Sequence, residues 1–319
     1  MSELTRLSKS RFCAGLQCQK QLWWRVHEPD APELEAGPEL QAIFDRGNHV
    51  GEAARERFPG GVLVKGEYWE LREKVEQTRR ALAEGAPVIY EASFSEDDVF
   101  VAVDILERRR RGYRLVEVKS TLDVKEPHIP DVAIQVHVLR RAGLDVRRAE
   151  VMHLNRECHH PDLSNLFVRE DVTREVKPLL PAIPGQVRGL QRMLAGPLPD
   201  TEPGDQCTSP YECPFMGRCV PEVAPDHITQ LHGLRSKRVA ELLAEGVRTI
   251  DDLPEGIELP ATTRRQVECL QTGKLVVDDA LAKALADIEK PIAFLDFETI
   301  NPAIPAWPGV APTARCPSR

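Results

Sequence analysis

Apolar residues in the first part of the chain recur at the spacing of amphipathic helices. The spacing predicts helical structure around Cys18 and a longer helix over residues 38–58, which Pro59-Gly60-Gly61 ends. A further amphipathic helix is predicted over residues 70–84. The residues expected on the apolar side of the 38–58 helix are Leu40, Ile43, Phe44, Val50, Ala53, Ala54 and Phe58.

The pattern changes to short β-rich runs between residues 88 and 118. Strands are predicted over residues 88–92, 99–106 and 113–118, with turn residues between them. A helix is predicted over residues 129–142 and another strand over residues 148–154. This succession predicts an α/β domain in which helices flank a mixed sheet.

The second half of the chain is less regular. Residues 171–195 are predicted to be helical, with three prolines interrupting their first half. A Cys-rich loop over residues 207–219 follows, and residues 227–290 are predicted to form a small, polar helical region. The last predicted strand covers residues 292–297, and the Pro-rich residues 301–319 show no periodicity.

The composition is that of a globular protein. The 319 residues are 42% hydrophobic, and 42 basic against 50 acidic side chains give a formal net charge of −8. This balance excludes a histone-like polycation but not a nucleic-acid enzyme, because binding depends on where the charge lies. No apolar run reaches the ~18–20 residues of a membrane span, and the N-terminus has no secretory signal. We therefore expect a cytoplasmic protein with no membrane partner, whose eight cysteines are metal ligands or core thiols rather than disulfides.

Two acidic residues and a lysine lie at the ends of apolar runs in neighbouring predicted strands. Asp104 ends one apolar run, and Glu117-Val118-Lys119 ends the next. Because residues i and i+2 of a strand point to the same face, Glu117 and Lys119 project together, and Asp104 can meet them. Two carboxylates and the carbonyl of Val118 offer hard oxygen ligands for Mg²⁺ or Mn²⁺. Lys119 would stabilise charge on a phosphate. The structural alternative is an exposed strand edge with alternating charges. Glu91 ends a short apolar run and could line the same cleft, the alternative being an exposed acid at the end of a strand.

Together with Gln135, these segments resemble the PD-(D/E)xK nucleases of the RecB type. The resemblance rests on Val101-Ala102-Val103-Asp104-Ile105, Leu115-Val116-Glu117-Val118-Lys119-Ser120 and Gln135 on the following helix. It implies a restriction-endonuclease-like fold in which Asp104 and Glu117 hold the metal, Lys119 is catalytic and Gln135 lies near the site.

Two positions depart from that family's pattern. The family has a metal-binding His on an upstream helix, where this chain has Gly51. His49 or Glu52 is expected to substitute as a metal ligand, the alternative for His49 being a solvated helix residue. The Tyr that usually follows the Gln is Leu139 here.

Cys207, Cys213 and Cys219 form a C-x5-C-x5-C series in a loop with little apolar content. Thiolates that converge on a metal would stabilise such a loop. Cys18 is the expected fourth ligand, and Cys13 is the competing choice. This arrangement resembles the iron–sulfur branch of the same family, which includes the CRISPR-associated exonuclease of the Cas-four type. The resemblance implies a 4Fe-4S cluster that clasps the two ends of the nuclease core, with Zn²⁺ on the same thiols as the alternative.

Three further segments are candidates for binding or cutting nucleic acid. The arginines at 108–111 form a basic run suited to phosphate contacts, or a solvated hairpin tip. Residues 242–253 resemble half of a helix-hairpin-helix, or a module used only for packing. Leu295-Asp296-Phe297-Glu298-Thr299 resembles the first motif of the DEDD-type exonucleases. The chain has no room for the later motifs, so we expect a truncated domain there.

The sequence thus predicts three regions. Residues 1–222 form a RecB-like nuclease domain with an iron–sulfur cluster, residues 223–290 a helical linker, and residues 291–319 the truncated start of a DEDD/RNase H-like domain. The expected function is a Mg²⁺- or Mn²⁺-dependent deoxyribonuclease, an exonuclease on single-stranded or frayed DNA, with DNA-repair or CRISPR-adaptation proteins as partners. The alternative is an iron–sulfur DNA-binding or adaptor protein with an impaired nuclease centre, which the missing His and Tyr would explain.

Overall fold

The computed structural model describes residues 6–67, 69–219, 224–289, 291–294, 296, 299–313 and 316–317. These residues form two units. The larger takes in the described residues up to 216 and those from 299 onward, and the smaller takes in residues 217–296. No helix among the described residues is long and apolar enough to cross a bilayer.

The larger unit is built on a seven-stranded mixed sheet in the order β2-β3-β4-β5-β6-β7, with β1 paired to β4. The hairpins β3–β4, β4–β5 and β6–β7 are antiparallel, whereas β1–β4, β2–β3 and β5–β6 are parallel. The mixed α/β architecture predicted from the sequence is confirmed. The strands are β1 (Leu7–Ser8), β2 (Val62–Leu63), β3 (Val88–Glu96), β4 (Val99–Arg108), β5 (Tyr113–Lys119), β6 (Val146–Leu154) and β7 (Phe167–Asp171).

Helices cover both faces of this sheet. The main core joins one face to α1, α2, α4, α5 and α7, and a second core joins the other face to the end of α3. Prolines keep α6 and α7 apart, as predicted. The helices are α1 (Lys9–Gln17), α2 (Gln19–His27), α3 (Pro38–Arg55), α4 (Leu71–Ala83), α5 (His128–Arg141), α6 (Thr173–Val176) and α7 (Ile183–Leu194).

Helix α3 buries only the second half of its predicted apolar side. Val50 and Ala54 are buried, but Leu40, Ile43 and Phe44 are exposed. The helix also ends at Arg55, so the buried Phe58 lies beyond it. The fold therefore covers only the second half of this apolar side, because periodicity shows that a helix has an apolar side but not that the fold covers it.

The sheet opens in the middle of β4. One edge of β4 pairs with β3 along almost its whole length. On the other edge, residues 105–108 pair with β5, whereas residues 99–100 pair with β1. Residues 101–104 therefore lie in a gap between β1 and β5. Side chains that follow β1, end β5 or point from β4 at this gap are brought together.

The smaller unit is helical, with α9 (Ser236–Ala244), α10 (Ala261–Thr272) and α11 (Ala280–Ala286) after the short helix α8 (Met216–Cys219). Its core includes Ile228, Leu242 and Val267. The strand predicted over residues 292–297 is not formed at residues 292–294 or 296, and Leu295, Phe297 and Glu298 lie outside the described residues. In the larger unit, β8 (Thr299–Ile300) pairs antiparallel with β9 (Cys316–Pro317).

Candidate active site

Asp104 lies in the gap of the sheet. The ladder between β4 and β5 stops at the pair Ile105 and Val116. Just beyond that pair, the Val118 N–H donates to Asp104 Oδ2 at 2.6 Å. Burial raises the pKa of Asp104 to about 7, and Glu117 adds to the rise, while Lys9 opposes it. Near neutral pH this carboxyl is therefore poised between its charged and neutral forms.

Glu117 and Lys119 point to the same side of β5, as the strand alternation requires. Lys119 Nζ lies 2.7 Å from Glu117 Oε1 and 2.6 Å from Asp131 Oδ2. Burial disfavours the Glu117 charge, but Lys119 and Lys9 outweigh it and hold the pKa of Glu117 well below its usual range. Burial likewise opposes the Lys119 charge, but Glu117 and Asp131 raise the pKa of the ammonium. Both groups are therefore charged at neutral pH.

Two members of this cluster were not singled out from the sequence. Lys9 begins α1, and its Nζ lies 2.7 Å from Glu117 Oε1 and 3.5 Å from Asp131 Oδ1. Asp131, in the first turn of α5, is itself buried. Burial and Glu117 raise the pKa of Asp131, against the effect of the two lysines. The cluster therefore contains three carboxylates and two ammonium groups.

Gln135 is fully buried on α5, one turn after Asp131. Its Nε2 donates to Glu117 Oε2 at 2.8 Å and to the Asp131 carbonyl at 3.2 Å. These two acceptors fix which end of the amide carries the nitrogen. Gln135 Oε1 is buried and has no hydrogen-bond partner among the described residues. The amide thus orients Glu117 and leaves a buried acceptor beside it.

Glu91 lies opposite Asp104 in the register of β3 and β4, between the pairs Tyr90–Ile105 and Ala92–Val103. Its φ of 56° is in the left-handed region, which is unfavourable for a glutamate. Arg55 Nη2 holds the Glu91 carboxylate at 2.9 Å. The Glu91 charge contributes to the raised pKa of Asp104. Strand β3 therefore places a fourth acid, paired with Arg55 of α3, at the gap.

The two departures from the family pattern have clear positions. His49 is exposed on α3, and within the described part of the chain it has no hydrogen bond or ion pair to Asp104, Glu117 or Asp131. Leu139 is fully buried in the main core. The structure thus brings together Asp104, Glu117, Lys119 and Gln135, but not His49.

The donor chemistry of this cluster suits Mg²⁺ or Mn²⁺, since buried carboxylates and backbone carbonyls are the oxygen ligands that these ions take. Among the described residues, however, no three His, Cys, Asp or Glu side chains form a ready metal-binding group. The contacts explain this, because Glu117 Oε1 meets two ammonium groups and Oε2 meets the Gln135 amide. These residues are therefore of the types that bind a divalent ion. In this structure a lysine ammonium supplies the positive charge beside the carboxylates.

Cys18, Cys207 and Cys213 lie near one another in the larger unit. Burial raises the pKa of the Cys213 thiol, and the sulfurs of Cys18 and Cys207 contribute in the same direction. Gln17 Nε2 ties the loop to α1 by donating to the carbonyls of Gln206 at 2.8 Å and Tyr211 at 2.6 Å.

Two further cysteines, Cys13 and Cys219, were also considered as ligands. Cys13 lies beside the carboxylate cluster instead, and burial together with Asp131 raises its pKa to about 12. Cys219 ends α8, in the smaller unit. Three of the four expected cluster ligands are thus neighbours in the larger unit.

A basic surface lies at the opposite end of β5 from Lys119, about 20 Å away at ~3.3 Å per residue. Arg108 stacks over the Tyr113 ring at 5.4 Å. Arg110 and Arg111 are exposed and have no ion pair among the described residues. The arginines that line this surface are Arg108, Arg109, Arg110, Arg111, Arg114, Arg147 and Arg148. Acidic partners hold several of them, which leaves the hairpin tip with uncompensated positive charge.

The chain was also compared with known proteins. No protein-family model matches it, and no curated protein matches it either. The cluster and its geometry are therefore the basis for the function proposed below.

Proposed function

We propose that the chain is a metal-dependent deoxyribonuclease of the RecB-like PD-(D/E)xK type, with a restriction-endonuclease-like fold. The observation that carries the proposal is the meeting of Asp104, Glu117 and Lys119 at the gap between β1 and β5. Buried charged groups whose pKa values are pushed apart are typical of catalytic centres. Gln135 joins them from the helix on which the resemblance expects it.

The protein's own groups have distinct roles in this proposal. Asp104 and Glu117 bind Mg²⁺ or Mn²⁺, which would supply Lewis-acid activation of the phosphate and of a water nucleophile. Lys119 carries a fixed positive charge that stabilises charge developing on the phosphate. Gln135 orients Glu117 through its 2.8 Å hydrogen bond. The Val118 N–H holds Asp104 at 2.6 Å.

The arginine surface favours a nucleic acid as the substrate. Uncompensated arginines such as Arg110 and Arg111 bind phosphates without reading sequence. A site about 20 Å from the carboxylates would contact a strand several nucleotides from the bond that is cut. We infer that the substrate is DNA, and that single-stranded or frayed ends are cut.

The test is digestion of end-labelled DNA with Mg²⁺ or Mn²⁺. Wild-type protein should cut, and Glu117→Ala and Lys119→Ala should lose the activity. Glu126→Ala and Lys177→Ala, at exposed positions, serve as matched controls and should cut like wild type. Equal residual activity in wild type and in both site variants would overturn the proposal.

We further propose that Cys18, Cys207, Cys213 and Cys219 hold a 4Fe-4S cluster. The proximity of the first three supports it, since sulfur ligands of this kind suit iron–sulfur clusters or zinc. Anaerobically purified protein should be brown, absorb near ~400 nm and contain iron, and Cys213→Ser should lose all three properties. Colourless protein with bound zinc would favour the zinc alternative instead.

The second candidate function is an iron–sulfur DNA-binding or adaptor protein with an impaired nuclease centre. The exposed position of His49 and the buried Leu139 favour it. Its expected result is DNA binding that needs Arg110 and Arg111, with no cleavage in either metal.

A further inference from the structure

Lys9 is held in place by its backbone on both sides. The two residues before it form β1, in which Leu7 and Ser8 pair with Val99 and Phe100 of β4. Ser8 also caps α1, because its side chain accepts a hydrogen bond from Arg11 N at 3.1 Å. The Lys9 side chain therefore starts from a fixed point beside the gap in the sheet, unlike a lysine on a loose terminus.

The Lys9 ammonium is surrounded by carboxylates. It lies 2.7 Å from Glu117 Oε1 and 3.5 Å from Asp131 Oδ1. Burial opposes its charge, but Glu117, Asp131 and Asp104 together raise the pKa of Lys9 well above its usual value. The Lys9 ammonium thus carries a permanent positive charge among three carboxylates, which is the position that a bound metal cation would take.

Lys119 contacts the same oxygen of Glu117, which makes one of the two ammonium groups redundant there. Lys119 comes from the same strand as Glu117 and has two short contacts, at 2.7 and 2.6 Å. Lys9 comes from a separate element and has one short contact and one of 3.5 Å. The two side chains are about equally exposed, at 24% for Lys9 and 23% for Lys119, so the contacts decide between them. Lys9 is therefore the ammonium held by fewer short contacts, and the one that can move off Glu117.

We propose that Lys9 is the resident counter-cation of the acidic centre, which holds the carboxylates together and moves off Glu117 Oε1 when a divalent ion binds. This inference rests on the proposed function. It makes Lys9 a positioning residue rather than a metal ligand. It also explains why the carboxylates do not form a ready metal-binding group, since a lysine fills the space between them.

The test compares Lys9→Met and Lys9→Gln with wild type and with the exposed control Lys177→Met. Mn²⁺ affinity is measured by calorimetry or by the EPR signal of free Mn²⁺, and the melting temperature is measured in chelator. We expect both Lys9 variants to bind Mn²⁺ at least tenfold more tightly than wild type, and to melt at a lower temperature without metal. Lys177→Met should match wild type in both measurements.

Mn²⁺ affinity in folded Lys9→Met or Lys9→Gln that equals or falls below that of wild type would overturn the inference. If both variants fail to fold, the inference is tested on the wild-type protein by NMR of isotope-labelled lysine side chains. The Lys9 signal should shift as Mg²⁺ is added, and an unmoved signal at saturating Mg²⁺ overturns the inference. Tighter Mn²⁺ binding by the variants, with no DNA cleavage by wild type, keeps the inference and rejects the nuclease. DNA cleavage by wild type, with unchanged Mn²⁺ affinity in the Lys9 variants, supports the nuclease and rejects the inference about Lys9.

Discussion

Replacing Asp104 by asparagine should stabilise the metal-free protein at alkaline pH. The amide keeps an oxygen that can accept the hydrogen bond from the Val118 N–H, which Asp104 accepts at 2.6 Å. It removes a negative charge that lies near Glu117 and Glu91. The change therefore separates the charge of this residue from its shape.

The size of the effect follows from the pKa of Asp104. Burial raises that pKa from 3.8 to about 7. A carboxyl with a raised pKa contributes stability below its unfolded pKa, and that stability is lost as the pH rises through about 7. The full cost of ionising Asp104 at pH 8 is about 4 kcal/mol. Because Asp104 is partly exposed, solvent screening reduces it, and we expect roughly 2 kcal/mol.

The assay is thermal unfolding in chelator at pH 8 and at pH 5. At pH 8 the melting temperature of Asp104→Asn should exceed that of wild type by roughly 4–8 °C, for a unit of this size. At pH 5 Asp104 is protonated in the folded protein, so the gain should shrink. Added Mn²⁺ should raise the melting temperature of wild type more than that of the variant. Equal or lower stability of the variant at both pH values would refute the reasoning.

Three other changes test the surroundings of the centre. Gln135→Leu removes the donor to Glu117 Oε2 and should lower the free energy of unfolding by about 1–3 kcal/mol; denaturant titration measures this, and an unchanged midpoint contradicts it. Glu91→Gln removes a charge that raises the pKa of Asp104, so the acid limb of the pH–rate profile should move to lower pH, and a shift to higher pH contradicts it. Arg110→Ser combined with Arg111→Ser should reduce the salt slope of DNA binding in chelator by about 1–2, whereas an unchanged slope excludes the hairpin tip from binding.

The central part of the fold could be predicted well from the sequence. The strands β3 to β6 and the helices α4 and α5 have strong periodic signals, and the structure has them within a few residues of the predicted bounds. The strands β1 and β2 have two residues each, too few to show alternation. They form because tertiary packing brings them to β4 and β3, which local pattern does not encode.

In the candidate site too, some positions follow from local sequence pattern and others only from the tertiary fold. Glu117 and Lys119 share a face by strand alternation alone, which a sequence reveals. Asp131 lies four residues before Gln135, so helical spacing was an available signal for it. Lys9 had none, because its position depends on the parallel pairing of Leu7 and Ser8 with β4. Contacts across 108 residues of chain follow from topology.

Helix α1 acts as a spacer of fixed length between two regions. Lys9 is its first residue and Cys18 follows its last, so about nine residues at 1.5 Å each separate the acidic gap from the thiol-bearing loop. Inserting or deleting one residue inside α1 would turn one end by about 100° relative to the other. A flexible connection could absorb such a change, but a continuous helix cannot. Length variation in this segment should therefore be tolerated only outside α1, or in steps close to a whole helical turn.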